Sequence, residues 1–383
     1  MTNLSLNKGG KLKMKYLHNS GHEKFDFDNL DDLKAKLKEL NMELPLAQDN
    51  SQLFKPVKVG ERILPNSLAI HPMEGSDASS EGAPQFLTYR RYKRFGAGGA
   101  GLIWLEATAV EEQGKANPRQ LMLTDDTVAQ FENLRKKAMT AAADSMGKDH
   151  KPLIVVQLTH SGRYSVPYGE AAPIIAHHSE VVDPTHGLSN DYPLISDEEL
   201  DQLQKKYVKA ASLAAEAGFE AVDIKACHGY LLNELLGAHT RKNSKYGGSF
   251  ENRTRFLVEV VEKVKAQNPD LILTTRLNVY DAMPYPYGFG MAEDGSMKPD
   301  LTEPIKLIKK LYELGVNMVN IAVGNPYYNP HVERPFDSPA VGGGYIPKEH
   351  PLENISENME ITKTINQSIP EDIVTVASGL TWL

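Results

Sequence analysis

The sequence predicts an α/β chain folded as a (β/α)8 TIM barrel that lacks the eighth strand and the last helix. Three observations predict it. Short apolar runs recur along the chain with room for a helix between successive ones, which favours a parallel sheet. The runs are nearly continuous in hydrophobicity, as at Leu153-Ile-Val-Val-Gln-Leu-Thr-His160, the pattern of strands buried on both faces. Polar groups capable of chemistry then gather where the runs stop, most densely in Asp223-Ile-Lys-Ala-Cys-His-Gly-Tyr230. In parallel α/β folds such groups collect at the carboxyl ends of strands. A doubly wound sheet is the alternative. Its dinucleotide fingerprint is missing, however, because the glycine cluster at 96–101 precedes a strand instead of linking strand to helix.

Residues 1–20 are polar and without apolar period. Lys8-Gly-Gly10 ahead of Met14 resembles a ribosome-binding sequence read in frame, so residues 1–13 are expected to be an over-extended reading frame. Leu30, Leu33, Leu37 and Leu40 fall at helical spacing behind a capping Asn29, an arm ahead of the barrel; the extension takes residues 1–50 and the barrel 51–383. Strand one is read at 63–71, a helix from 85 to Phe95 ending at Gly96, and strand two at 101–110. A helix over 126–146 leads to strand three at 153–160. The loop 161–195 is long and rich in Pro, Gly and His, the signature of a lid or binding segment. Ser196-Asp-Glu-Glu199 is a capping box opening a helix to Ala217, with Gly218 beyond it. Strand four covers 219–224, and Ser249 caps a helix whose apolar face is Phe256, Leu257, Val260, Val261 and Val264. Strand five covers 271–279, Thr302 caps a helix to Leu314, and strand six covers 316–323. A helix near 352–366 leads to strand seven at 373–379.

Composition removes several function classes. A net charge of −8 argues against a nucleic-acid or anionic-membrane partner, both of which want basic patches. One cysteine, Cys227, rules out an internal disulfide framework or a four-cysteine cluster from this chain. No run approaches the ~20 apolar residues of a membrane span. Mean hydropathy is −0.40. The expectation is a cytoplasmic protein acting on a small molecule, with room for a homo-oligomer.

Six motifs fall in order on these elements: Pro72-Met73, Glu106-Ala-Thr-Ala-Val110, Gln157-Leu-Thr-His-Ser-Gly-Arg163, His228-Gly-Tyr-Leu231, Tyr246-Gly-Gly-Ser-Phe-Glu-Asn-Arg253 and Arg276-Leu277. Together they resemble the Old Yellow Enzyme family, and within it the bacterial NADH:flavin oxidoreductase / 2,4-dienoyl-CoA reductase branch. The resemblance implies FMN across the barrel mouth, NAD(P)H as electron donor and an activated alkene as acceptor. It implies that Gln157 and Arg276 meet the flavin's pyrimidine edge, and that Pro72, Met73, Ala107 and Gly379 border the cofactor. For Arg276 an internal ion pair, with Asp223 as partner, stays open; for Gln157, a hydrogen bond within the strands does. The family's carbonyl clamp is a pair three residues apart, here Lys225 and His228. Lysine is the chief departure, and Asp223, Glu74 or Glu106 are its alternative partners. Tyr230 matches the proton donor, since a phenol stays protonated at neutral pH. Cys227 reads as a buried filler, Arg253 as a tether, and His160 and Arg163 stay unassigned.

Two other readings stand beside this one. Lys225 suits a flavin-free Schiff-base lyase on the same barrel. The absence of an eighth strand after Gly379 suggests a truncated record, and with it an inactive fragment that leaves an unpaired edge.

Overall fold

The computed structural model describes residues 3–6, 12–15, 23, 27–47, 49–336 and 345–379. Seven parallel strands form one sheet among the described residues: β1 (Ala69–Ile70), β2 (Leu102–Trp104), β3 (Leu153–Thr159), β4 (Ala221–Ile224), β5 (Ile272–Tyr280), β6 (Val316–Val323) and β7 (Val374–Val376). Each pairs with its sequence neighbour, the order of a barrel wound one way round. After Trp104 the second strand breaks off, resuming at Thr108–Ala109 against Leu158 and Thr159. Its single run in the sequence therefore splits around Glu106, whose carboxylate turns to Arg91.

Strand parity sorts the side chains. Leu102, Trp104, Leu153, Val155, Ala221 and Met318 form a small interior cluster with Val59 and Leu64. Those last two belong to an antiparallel hairpin, Val57–Val59 with Arg62–Leu64, that closes the amino-terminal end of the barrel. The alternate positions, among them Ile103, Ile154, Val156, Val222, Ile224 and Val319, face outward into the large core beneath the helices. This hairpin takes residues the sequence assigns to strand one, and the pairing strand shrinks to two residues.

The helices are α1 (Leu30–Glu39), α2 (Phe86–Ala97), α3 (Val128–Met146), α4 (Asp197–Glu216), α5 (Leu231–Leu236), α6 (Phe250–Gln267), α7 (Thr302–Glu313), α8 (Pro330–Glu333) and α9 (Pro351–Ser368). Capping chemistry explains several starts. Asn29 accepts from the amides of Asp31 and Asp32, Ser196 and Glu199 form the expected box, and Ser249 accepts from Asn252. For α7 the N-cap is Leu301, which offers no side-chain cap, and Thr302, expected to cap the helix, is its first residue, its amide received by Asp300. Gly96, expected to end α2, likewise lies within it; a side chain there would run into the Ala138 carbonyl of α3, so glycine serves close helix packing and not a stop. Leu37 of α1 packs on Leu352 and Ile355 of α9, docking the amino-terminal arm. Further upstream, Asn3–Leu6 pairs with Leu12–Lys15 in a stretch where the sequence shows no period; the rest of residues 1–13 lies outside the described set.

No ladder joins β1 to β7 among the described residues. One side chain crosses that seam instead. His71 Nε2 donates to the Ala377 carbonyl at 3.0 Å, and its Nδ1 receives Asn320 Nδ2 at 3.3 Å, so both ring nitrogens are used in the neutral form. Burial, with Arg276 nearby, depresses the imidazole from 6.5 to about 4. Between those values the unfolded chain binds the extra proton. The stability His71 contributes is therefore complete above its ordinary value and is lost as pH falls toward the depressed one. In His71→Gln, the drop in urea-unfolding free energy between roughly pH 6.5 and 5 should shrink by about 1–2 kcal/mol. An unchanged drop would remove His71 from the acid response.

Candidate active site at the barrel mouth

Moving up the barrel from the apolar floor, the inward positions turn polar. Asp223 is fully buried and accepts three bonds: Trp104 Nε1 at 2.9 Å, Gln157 Nε2 at 2.6 Å and the Arg276 amide at 2.7 Å. Burial raises its carboxyl to about 6, against the lowering effect of those donors. Gln157 and Asp223 lie opposite each other in register on β3 and β4. Asp223 thus meets the backbone of Arg276, while the guanidinium goes elsewhere. Arg276 Nη2 lies 3.3 Å from Glu333 Oε1, and its buried Nε has no hydrogen-bond partner.

Two positions beyond Asp223 along the same inward line comes Lys225. Its Nζ stands 3.7 Å from the centre of the Tyr230 ring and has neither an ion pair nor a hydrogen bond among the described residues. Lysine pairing with Asp223, Glu74 or Glu106 does not occur at contact distance. Burial lowers its pKa, only partly offset by the nearby Cys227, Glu74 and Asp223. His228 has φ of 66°, a left-handed turn where the chain leaves the strand, and its Nε2 lies 2.9 Å from Glu333 Oε1. Desolvation pushes His228 to about 4, so the ring is neutral. Glu333 is held near 2: burial opposes ionisation, but the His228 ring against it, by its hydrogen bond, and the charges of Arg276 and Lys225 outweigh it.

Tyr230 is the N-cap of α5 and is buried, at 3% exposure. Its hydroxyl donates to Glu74 Oε1 at 3.1 Å and lies 3.1 Å from the Tyr327 hydroxyl. Burial, then Glu74 and Tyr327, raise its pKa well above 10. Glu74 follows Pro72 and Met73, and Met73 is 72% exposed at the rim. Ala107 is buried, and its carbonyl receives Gln120 Nε2 at 2.9 Å. Gly379 has φ of 72°, and a Cβ there would stand 2.6 Å from the Glu333 carbonyl. Cys227 is fully buried, its thiol pushed to about 12, which suits a filler.

The sequence reading thus lands on one cluster containing Lys225, His228, Tyr230, Gln157 and Arg276. It missed Glu333 and Tyr327, both from the segment after β6. Neither lies on a periodic element, so only proximity in space reveals them. Arg163 belongs elsewhere: it is buried between Glu234 and Asp183, with Nε donating to Glu234 at 2.7 Å and Nη2 to the His177 carbonyl at 2.9 Å. Glu234 also receives the Ala176 amide, and Arg241 binds the carbonyls of Ala176 and Ile195. The loop 161–195 is therefore pinned at both ends to the barrel, in contrast to a free lid. Arg253 is a tether as expected, donating to the Leu236 carbonyl and to Glu303. His160 lies under the same loop with Nε2 3.3 Å from Glu111.

A neutral imidazole, a phenol and two basic side chains thus gather in the upper half of a parallel barrel, the end at which α/β barrels carry their active sites. Residues 52–321 match the model of the NADH:flavin oxidoreductase / NADH oxidase family, and the chain belongs to that family. It is 28% identical over 278 residues to an NADPH dehydrogenase of Bacillus subtilis, covering 71% of this chain and 73% of that protein. A Bacillus cytotoxicus NADPH dehydrogenase is 31% identical over 222 residues, 56% of this chain but only 59% of the relative. With the NADH oxidase of Thermoanaerobacter brockii the identity is 30%, over 71% of this chain and 39% of that one. Among solved structures, the Old Yellow Enzyme homologue of Zymomonas mobilis superposes with a TM-score of 0.60 at 22% identity, covering 83% of this chain and 80% of the other. Morphinone reductase gives 0.59 at 22%, covering 83% and 77%. Both support the barrel fold.

The cofactor of this family is FMN, and the residues present fit it. Arg276 offers an unpartnered buried N–H, Lys225 an unpaired ammonium, and Gln157 an amide fixed by Asp223. A buried cation short of acceptors is costly, and an anionic ring edge would add to what Glu333 gives Arg276 and supply what Lys225 lacks.

Proposed function

We propose that the protein reduces carbon–carbon double bonds conjugated to a carbonyl group, with NAD(P)H as electron donor and FMN as carrier. What supports this is that Lys225, His228 and Tyr230 leave the end of one strand together, directly above Gln157 and Arg276. Gln157 and Arg276 would hold the pyrimidine edge of FMN, bordered by Pro72, Met73, Ala107 and Gly379. When bound, FMN supplies the hydride received from NAD(P)H.

The chain's own residues do the rest. His228 donates a neutral N–H to the substrate carbonyl, in competition with Glu333, which lies against the same nitrogen. Lys225 meets the negative charge that develops on that oxygen, as a point charge in a site of low polarity. Tyr230 delivers its phenolic proton to the α-carbon. The Schiff-base lyase reading gives way to the family assignment. No helix among the described residues is long and apolar enough to cross a membrane. We read the protein as a bacterial, cytoplasmic enzyme for small molecules, in line with its Bacillus relatives; the net charge of −8 fits one without a nucleic-acid partner. A homo-oligomer is compatible with that reading.

Full-length protein should purify yellow and release FMN on denaturation. Protein that is colourless and shows no quenching of added FMN would sink the proposal. Arg276→Ala should weaken FMN binding by about ten- to a hundredfold, the scale of one charged hydrogen bond, read from flavin fluorescence.

A further inference from the structure

The hydroxyl of Tyr230 has two partners, and they differ in kind. Glu74 Oε1, at 3.1 Å, accepts the Tyr230 proton. Tyr327, also at 3.1 Å, is then left to donate its own proton to the Tyr230 oxygen. Tyr230 is 3% exposed, whereas Tyr327 is 54% exposed. The two phenols thus link a sealed donor to solvent. Tyr327 is held for this contact: its ring stacks on Tyr164 at 3.9 Å and 18°, and its amide donates to Asn325 Oδ1 at 2.9 Å. The Tyr164 hydroxyl in turn receives Asn325 Nδ2 at 3.3 Å, so turn and stack brace each other.

We propose that Tyr327 is the relay that returns a proton to Tyr230 after each turnover, an inference that rests on Tyr230 being the proton donor. In the reductive step the Tyr230 O–H bond breaks and a C–H bond forms at the α-carbon, leaving a phenolate. The O–H bond of Tyr327 then breaks as that of Tyr230 re-forms, and a water molecule at the exposed edge reprotonates Tyr327. One solvent proton enters for each proton that leaves in product, and no electrons move along the chain of hydroxyls. Lys225, 3.7 Å from the centre of the Tyr230 ring, stabilises the transient phenolate. Glu74 beside the same oxygen disfavours it, which drives the proton back. Tyr327 touches no reacting carbon and acts only through Tyr230.

The test compares Tyr327→Phe with Tyr230→Phe in FMN-loaded, full-length protein, using 2-cyclohexenone as acceptor. Phenylalanine keeps the stack on Tyr164, so FMN affinity and flavin reduction by NAD(P)H should stay unchanged in Tyr327→Phe. Steady-state alkene reduction should fall about tenfold, short of the loss expected for the donor itself. Added imidazole buffer should restore much of it by supplying the proton directly, a rescue that a packing defect would not show. If Tyr230→Phe is slow while Tyr327→Phe runs at full rate, or is slow without buffer rescue, the relay is overturned. If Tyr230→Phe itself keeps full rate, the donor assignment falls, and the relay with it.

Discussion

Tyr230→Phe slows alkene reduction by about 10²–10⁴-fold, the usual contribution of a positioned general acid, while FMN reduction by NAD(P)H proceeds at its normal rate. The ring that remains still lies under Lys225, and α5 still begins at the same residue, so the variant folds. What it loses is the one proton placed at the end of β4 beside the clamp residues. Burial raises the phenol's pKa well above 10, so the resting donor carries its proton at neutral pH. Stopped-flow measurement of the two half-reactions separates the effects. Equal slowing of both would point to a disturbed cofactor site, and no slowing of either would remove Tyr230 from the chemistry.

Arg163→Ala lowers stability by about 3–5 kcal/mol, the cost of leaving buried carboxylates without their cation. The Arg163 side chain is 1% exposed, Glu234 6% and Asp183 7%, so water cannot take its place. Three attachments go at once: β3's exit, α5 through Glu234, and the loop at 176–183. The loss should shrink on acidification, because protonated carboxyl groups tolerate burial better than ionised ones. Urea unfolding at neutral and acid pH reads both effects. A loss below about 1 kcal/mol, the range of an exposed pair, would show that the network relaxes instead of breaking.

The barrel was legible because its strands are apolar over whole runs and its helices carry their own stop and start signals. Gln157 stood out for one reason: it interrupts Leu153–Thr159, where every neighbour is hydrophobic or buried. Asp223 was visible as a charge on a buried strand, yet its partners were misjudged. Register, which periodicity does not supply, sets it opposite Gln157 and beside the Arg276 amide. Glu333 escaped because α8 is four residues long and shows no pattern. Its importance comes from meeting His228 and Arg276, which lie far away in the chain. Tyr327 escaped for the same reason. Arg163 stays unassigned from the sequence, since a pin and a phosphate ligand look alike until the carboxylates around them are located.

Trp104 gives the barrel an optical reporter of its own. Its indole donates to Asp223 from inside the apolar floor, in a chain with two tryptophans. Emission from a ring so placed tracks the charge of the carboxyl it touches, and a chromophore bound a layer above drains it by energy transfer. One fluorescence titration can therefore follow both the ionisation of the barrel interior and the arrival of the cofactor, with no label added.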